Sequence, residues 1–597
     1  MPPAPRFERW PTLPALFFDQ AATLGDRPLL RVKRDKEWRR LSWRDVSAEV
    51  ERVAAGLSAL GVGQGDRVCL VSENRPEWLV ADLAVMTLGA VTVPAYTTIG
   101  VPDYEHVLRD SGSQVVVVSG GQLARRVHTA ASHVSCCKHI VTIDAVELPD
   151  AQGLTSHRWT ALPAPGAALD VAALVARGQS DDPACIIYTS GTGGTPRGVV
   201  LSHRNVLANC AGAQEVLDEI GLGEELFLSC LPLSHAYEHS CGQFFPLSLG
   251  AEIAYVEALD KLSANLQELK PTIIMVVPRL CEVVQQRIQR EVEKGDPKKR
   301  RLFELALELG RKRYRRGGTL PFWQVPVDLM MDRLVRSRIQ EKLGGRIKGL
   351  ISGGAALSPE TGLFFHALGV PLLQGYGQTE AAPLISVNRF SNPRHDTVGP
   401  PVRGCEVRIA EDGEILARGP NVMLGYWGDD AATERTVRDG WLHTGDVGHI
   451  DQAGRIVITD RKKDILVTSG GDNVSPARVE GRLMLEPEIG QAVVVGDKRP
   501  YIGALIVPEA DVARTWARDR GKTEDMARLC EDPEFRKLIS AAVDRANTTL
   551  AGVERIRKFA LVPESFSIEN GLMTPTLKIR RPLVQAHYKD RIEGLWE

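Results

Sequence analysis

Short apolar runs recur through the first two-thirds of the chain. Examples are RVCLVS (67–72), SQVVVVS (113–119), CIIYT (185–189), TIIMVV (272–277) and GLISGG (349–354). Runs of this length bounded by polar residues or glycine read as buried strands. Longer stretches with helical spacing separate them, and that alternation predicts parallel α/β layers. From Glu406 onward strands dominate, as in GEILARG and GRIVITD, which predicts a β-rich subdomain. After Asp464 the pattern changes again, to a helix around 476–486 and then QAVVVGD and GALIVPE strands, a small α+β unit. No internal repeat is present.

Composition narrows the class. A chain of 597 residues allows ~4 domains by length alone, and 43% apolar with 25% charged residues is ordinary for a globular protein. A net charge of −2 supplies no global field for nucleic acid. The ten cysteines are scattered, only Cys136 and Cys137 are adjacent, and no CxxC pair occurs. That fits a reduced cytosol better than a disulfide framework or zinc site. Residues 1–30 lack an uninterrupted apolar segment, so no secretory signal is expected. The most apolar window, 83–93, is too short to span a bilayer and contains Gly89. A soluble cytoplasmic enzyme is the expectation.

One segment stands out in charge. Residues 287–316 carry twelve basic side chains against five acidic ones, around an LFELALELG stretch with helical spacing. Two readings stay open: a solvated helical face, or a basic surface that meets anionic lipid head groups or the phosphates of CoA.

The densest chemistry lies in YTSGTGGTPRGVVLSHRN (188–205). Thr189, Ser190 and Thr192 sit among Gly191, Gly193 and Gly194, with Arg197 close behind. Glycines allow close backbone approach to a phosphate, and amides, hydroxyls and one cation then form a nest for a polyanion. A strand precedes the loop and helical spacing begins after Ser202, so the loop is predicted between strand and helix. It is not a Walker A loop, because Gly-Lys-Ser/Thr is missing at the required spacing. Taken alone, the segment could also be a plain surface loop.

Four more motifs follow in order: GYGQTE (375–380), HTGDVGHID (443–451), DRKKDILVTSGGDNVSP (460–476) and TPTLKIRR (574–581). Together the five resemble the core motifs of the acyl-adenylate-forming superfamily, over 13–582. LPLSHAYEH, SGGAALSPE and TPTLKIRR look most like long-chain fatty acyl-CoA synthetases, including the bacterial AMP-forming ones. The resemblance implies a large N-terminal domain of layered α/β sheets with a β-rich subdomain (1–462). It implies a mobile α+β C-terminal domain (463–597) hinged near Lys463. The implied reaction joins fatty acid to ATP as acyl-AMP, releases pyrophosphate, and passes the acyl group to CoA. Neither step needs a protein nucleophile, in keeping with the lack of a Ser-His-Asp or Cys-His constellation.

Site roles carry over residue by residue. Glu380 is the implied Mg2+ ligand, and Thr379 and Thr189 offer hydroxyls to the phosphates. Gln374, Gly375 and Tyr376 fall in the nucleotide site, where the Tyr376 ring could stack on adenine. Gly353, Gly354 and Ala355 are small enough to let the purine lie against backbone. Asp446 is implied for the ribose diol, and Arg461 for a second ribose or phosphate contact. Gly470 and Gly471 fall where the family lines its pantetheine tunnel. Lys578 resembles the adenylation lysine, able to bridge the substrate carboxylate and α-phosphate. His235 aligns with the histidine near the acyl carboxylate. The chain departs from the usual pattern with Gly193 in place of Thr, Arg197 in place of Lys, and Val467 at a basic position. The reading is an AMP-forming fatty acyl-CoA synthetase for medium to long chains, with ATP, Mg2+ and CoA. The alternatives are a fatty acyl-AMP ligase that loads a carrier protein, and a nucleotide- and lipid-binding pseudoenzyme. The uninterrupted 460–476 segment favours free CoA.

Overall fold

Residues 115–118 are four consecutive valines, and they form a strand buried on both faces. Val115 and Val117 enter one core while Val116 and Val118 enter another, as the period of two along a strand requires. The computed structural model in which this is seen describes residues 7–162, 169–189, 195–567, 569–574 and 579–597, without the side chain of Glu8. The strand belongs to one of two eight-stranded sheets. In it Val91–Pro94, Arg67–Val71, Val115–Val118 and His139–Thr142 run parallel. The second sheet sets Leu226–Ser229, Ile273–Val276, Gly349–Ser352 and Leu372–Gly377 side by side, also parallel.

The helix Pro76–Thr87 lies in the core that both sheets share, and every residue except Glu77 is buried. A helix apolar nearly all round is stable only in such a place. Two ionisable pieces are nevertheless inside. Asp82 Oδ2 lies 3.0 Å from His239 Nε2, with both side chains fully buried. Beside them, in the π-helical segment Glu238–Phe244, Glu238 is buried and takes the Ser229 hydroxyl at 2.5 Å on Oε1, while Oε2 has no hydrogen-bond partner among the described residues. Burial pushes the Glu238 carboxyl up to about 8, against the smaller opposing effect of the Ser229 bond.

A third sheet of five antiparallel strands includes Glu414–Arg418, Trp441–Ile450 and Ile456–Arg461. Beyond it the cores change: residues from Leu466 to Leu595 form two apolar clusters of their own. These hold a three-stranded sheet, Ile489–Val495, Gly503–Pro508 and Lys558–Leu561, packed with helices. The α/β layers, the β-rich region and the α+β unit thus appear in the predicted order.

The glycine-rich loop corrects one expectation. It joins strand to strand, because Arg197–Ser202 pairs antiparallel with Pro183–Thr189 before the helix His203–Asp218 begins. The apolar run after Arg197 buries itself in the sheet first. Ser202 then caps the helix, accepting from the Asn205 amide at 3.2 Å while Asn205 Oδ1 accepts from the Ser202 amide at 2.8 Å.

Candidate functional site

The hairpin stem is anchored at several points. Thr189 pairs with Arg197 in register, and the next step down pairs Tyr188 with Gly198. A Cβ on Gly198 would stand 2.6 Å from Ile186 and 3.3 Å from Trp427, so only glycine fits. Tyr188 donates to Asp110 at 2.5 Å, and Trp427 donates to the Asp110 carbonyl at 3.0 Å. Ser190, Gly191, Thr192, Gly193 and Gly194 lie outside the described residues.

A second group gathers at the carboxyl ends of the parallel strands Gly349–Ser352 and Leu372–Gly377, where open α/β sheets bind ligands. Gly353 and Gly354 leave the first strand and Gln374, Gly375 and Tyr376 lie on the second; Gly354 has φ of +80°. Ala355 is exposed. Tyr237 packs against Gly353, its ring 3.1 Å from where a Cβ would be, and donates to the Ile351 carbonyl at 2.7 Å. This places Tyr237, a residue the sequence reading did not single out, under the glycine pair. His235, two residues earlier, is half-buried, and its Nδ1 accepts from the Tyr237 amide at 3.1 Å.

Tyr376 reaches across to the five-stranded sheet. Its hydroxyl donates to Asp446 Oδ2 at 2.7 Å, and Arg461 donates to Asp446 Oδ1 at 3.1 Å. Asp446 and Arg461 face each other in register on adjacent strands. Burial and then the Asp446 carboxylate hold the Tyr376 hydroxyl well above its ordinary pKa, so it stays a donor. Three residues from three separate motifs are therefore in direct contact. Asp446 is buried, and each of its oxygens retains a further lone pair for a diol.

Glu380 lies in the short 3-10 turn Thr379–Ala381, just past Leu372–Gly377. A Cβ on Gly377 would stand 1.8 Å from the Pro383 carbonyl oxygen, so the turn needs glycine there. Tyr426 donates to Glu380 Oε1 at 2.9 Å, and the Arg197 guanidinium lies 5.6 Å from the Tyr426 ring centroid. Tyr426 belongs to the strand Gly425–Tyr426, which pairs with Arg197–Ser202 and so ties Glu380 to the hairpin stem. It too was missed, because a partner this far along the chain leaves no trace in local spacing. Arg197 also faces Asp429, with Nε to Oδ2 at 3.6 Å. Among the described residues no cluster of three or more His, Cys, Asp or Glu could hold a metal. One half-buried carboxylate with one oxygen committed to Tyr426 matches Mg2+, which takes one or two carboxylates together with substrate phosphates.

Other expected residues stand apart. Lys463 is exposed in the turn after Ile456–Arg461. Gly470 and Gly471 are exposed between the short strands Leu466–Val467 and Asn473–Val474, with Gly471 at φ of +86°. Lys578 falls outside the described residues. Nearby, Arg581 is held by Glu480 at 2.7 Å.

Known proteins resemble the chain throughout. The family model described as AMP-binding enzyme matches residues 17–427, and that of the AMP-binding enzyme C-terminal domain matches 463–597. A long-chain-fatty-acid–CoA ligase of Mycobacterium bovis is 34% identical over 94% of this chain and 93% of its own. A peroxisomal long chain acyl-CoA synthetase of Arabidopsis thaliana is 32% identical, over 95% of this chain and 83% of its own. Among solved structures, the adenylation domain of a Mycobacterium chelonae carboxylate reductase shares the fold with a TM-score of 0.76 at 22% identity. It covers 98% of this chain and 91% of its own.

Proposed function

This chain belongs to the AMP-binding enzyme family, and from that premise we propose that it is an AMP-forming fatty acyl-CoA synthetase acting on medium to long chains. The observation that carries the nucleotide chemistry is the contact of Tyr376, Asp446 and Arg461 at the strand ends. The acyl class is supported by the relatives named for long-chain fatty acids.

In this reading Asp446 accepts the ribose hydroxyls, oriented by Tyr376 and Arg461. Gly353, Gly354 and Ala355, with Gln374 and Gly375, leave room for the purine beside backbone. Thr189, Thr379 and the 190–194 loop grip the phosphates, with Arg197 as the cation of the stem. Glu380 would hold Mg2+, which when bound supplies positive charge to the phosphate oxygens. A fatty acid carboxylate oxygen bonds to the α-phosphorus as the bond to pyrophosphate breaks. Lys578 offsets the charge that gathers between those two anions. The CoA thiol then attacks the acyl carbonyl and AMP leaves. His235 lies beside the acyl carboxylate, and Gly470 and Gly471 line the way for pantetheine. The division at 462/463, with a hinge at Lys463, carries the small domain between the two steps. A cytoplasmic place with peripheral contact to anionic membrane belongs to the same proposal.

The test is product identity. With ATP, Mg2+, CoA and fatty acids from short to very long, AMP and pyrophosphate should appear in equal amounts, most rapidly with medium to long chains. Release of ADP and phosphate would overturn the reading.

A further inference from the structure

The helical stretch that begins at Val325–Met331 and continues through the π-helical turn Asp332–Arg336 is built inside out. Its buried side carries Asp328 and Arg336, paired at 2.6 Å, together with Met331 and Val335. Its solvent side carries Val327, Met330 and Leu334, spaced i, i+3, i+7, all exposed, with Leu329 beside them. That spacing is an apolar stripe on one helix face, and such a stripe ordinarily points inward.

The helix cannot roll to bury it. Asp328 also takes Arg313 of the neighbouring helix Pro297–Arg315 at 3.0 Å. Arg336 donates to the Ala306 and Ala367 carbonyls at 3.0 and 2.8 Å. Just before the stripe, Phe322 and Trp323 stand 82% and 64% exposed with their ring centroids 5.1 Å apart. Exposed apolar side chains crowded into one stretch of the chain, as they are over 322–334, mark an interaction site.

Its surroundings choose the partner. Residues 311–338 hold eight basic and two acidic side chains. Both acids, Asp328 and Asp332, are already paired, with Arg313 and Arg336 between them. Arg315, Arg316 and Arg333 are exposed, and among the described residues none of them makes an ion pair. A second copy of the chain would bring the same positive charge to the same stripe and be repelled. An anionic bilayer accepts both the aromatic pair and the cations around it.

We propose that Phe322, Trp323 and the stripe through Leu334 form the surface by which this protein lies on anionic phospholipid membranes. The proposal shares the peripheral-contact part of the functional reading but moves the contact to the far end of the basic helix. Lys298 to Arg301 lie about 20 Å away along it.

Cosedimentation with vesicles of phosphatidylglycerol, and separately of phosphatidylcholine, tests it. The wild type should bind the anionic vesicles. Phe322→Ser with Trp323→Ser should weaken that binding by about tenfold or more, as two aromatic groups no longer leave water. Arg315→Glu with Arg316→Glu should weaken it at least fivefold per residue on phosphatidylglycerol only. Neutralising Lys298, Lys299, Arg300 and Arg301 together should change it far less. AMP release with a water-soluble short acid should be equal in all variants, which separates this surface from catalysis. Vesicle binding that survives loss of Phe322 and Trp323, or that is lost with 298–301 alone, overturns the proposal. So does a wild type that ignores vesicles but forms a dimer that Phe322→Ser with Trp323→Ser dissociates.

Discussion

Glu238→Gln should gain stability relative to the wild type as pH rises. The folded carboxyl titrates at about 8 and the unfolded one near its ordinary 4.5. Over that window the folded state binds more protons than the unfolded state, so the contribution is fully favourable below about 4.5 and is lost as pH rises through about 8. From pH 5 to pH 8 the loss amounts to about 3 kcal/mol, at roughly 1.4 kcal/mol per unit. The amide occupies the same space but cannot ionise. Its altered bond with Ser229 and its own unpaired donor change stability by an amount that does not vary with pH. The slope, not the offset, is therefore the quantity to read. Differential scanning calorimetry of both proteins at pH 5, 6.5 and 8 should show the variant gaining on the wild type by about 3 °C across the series, for a unit of this size. A melting difference that stays constant with pH would show that Glu238 ionises as readily inside the fold as outside, and the burial argument would fail.

Four further outcomes follow from the site. Glu380→Gln should lower the rate of ATP–pyrophosphate exchange by ~10²–10³ without moving the melting temperature, because the amide oxygen can still accept from Tyr426. Tyr376→Phe removes a hydrogen bond to a charged group that is made without any nucleotide and is worth about 2 kcal/mol, so the melting temperature should fall; unchanged melting would show that the Asp446 contact adds no stability. Lys578→Ala should fail to make acyl-AMP in single turnover yet form thioester from added acyl-AMP and CoA; equal loss of both steps would remove its assigned role. Gly198→Ala should destabilise the hairpin stem, seen as faster hydrogen exchange at 183–202, since its Cβ meets Ile186 and Trp427.

The strands were legible because each is an apolar run buried on both faces, as 115–118 shows. The strand Arg197–Ser202 was not, because it runs straight into the next helix and ends on the residue that caps it. Motifs gave Tyr376, Asp446, Arg461 and Glu380, but nothing in their spacing says that Tyr376 touches Asp446 or that Tyr426 touches Glu380. Those contacts are made between sheets, where separation along the chain carries no information. The exposed stripe at 327–334 was hidden for another reason. Periodicity reports that a helix has two faces, but the side turned inward is decided by the Asp328–Arg336 pair and its anchors.

Arg461 closes the strand Ile456–Arg461, and the turn carrying Lys463 starts at the next residue. The guanidinium that steadies Asp446 is thus attached to the first peptide of the segment proposed to rotate. Any torque on that segment reaches the proposed ribose pocket through one bond, and any occupant of that pocket pushes back. Thermodynamic reciprocity makes the coupling symmetric: if one arrangement of the small domain tightens AMP by some factor, AMP favours that arrangement by the same factor. Nucleotide affinity measured with the turn locked and unlocked would then report the domain equilibrium itself, with no structural probe on the moving part.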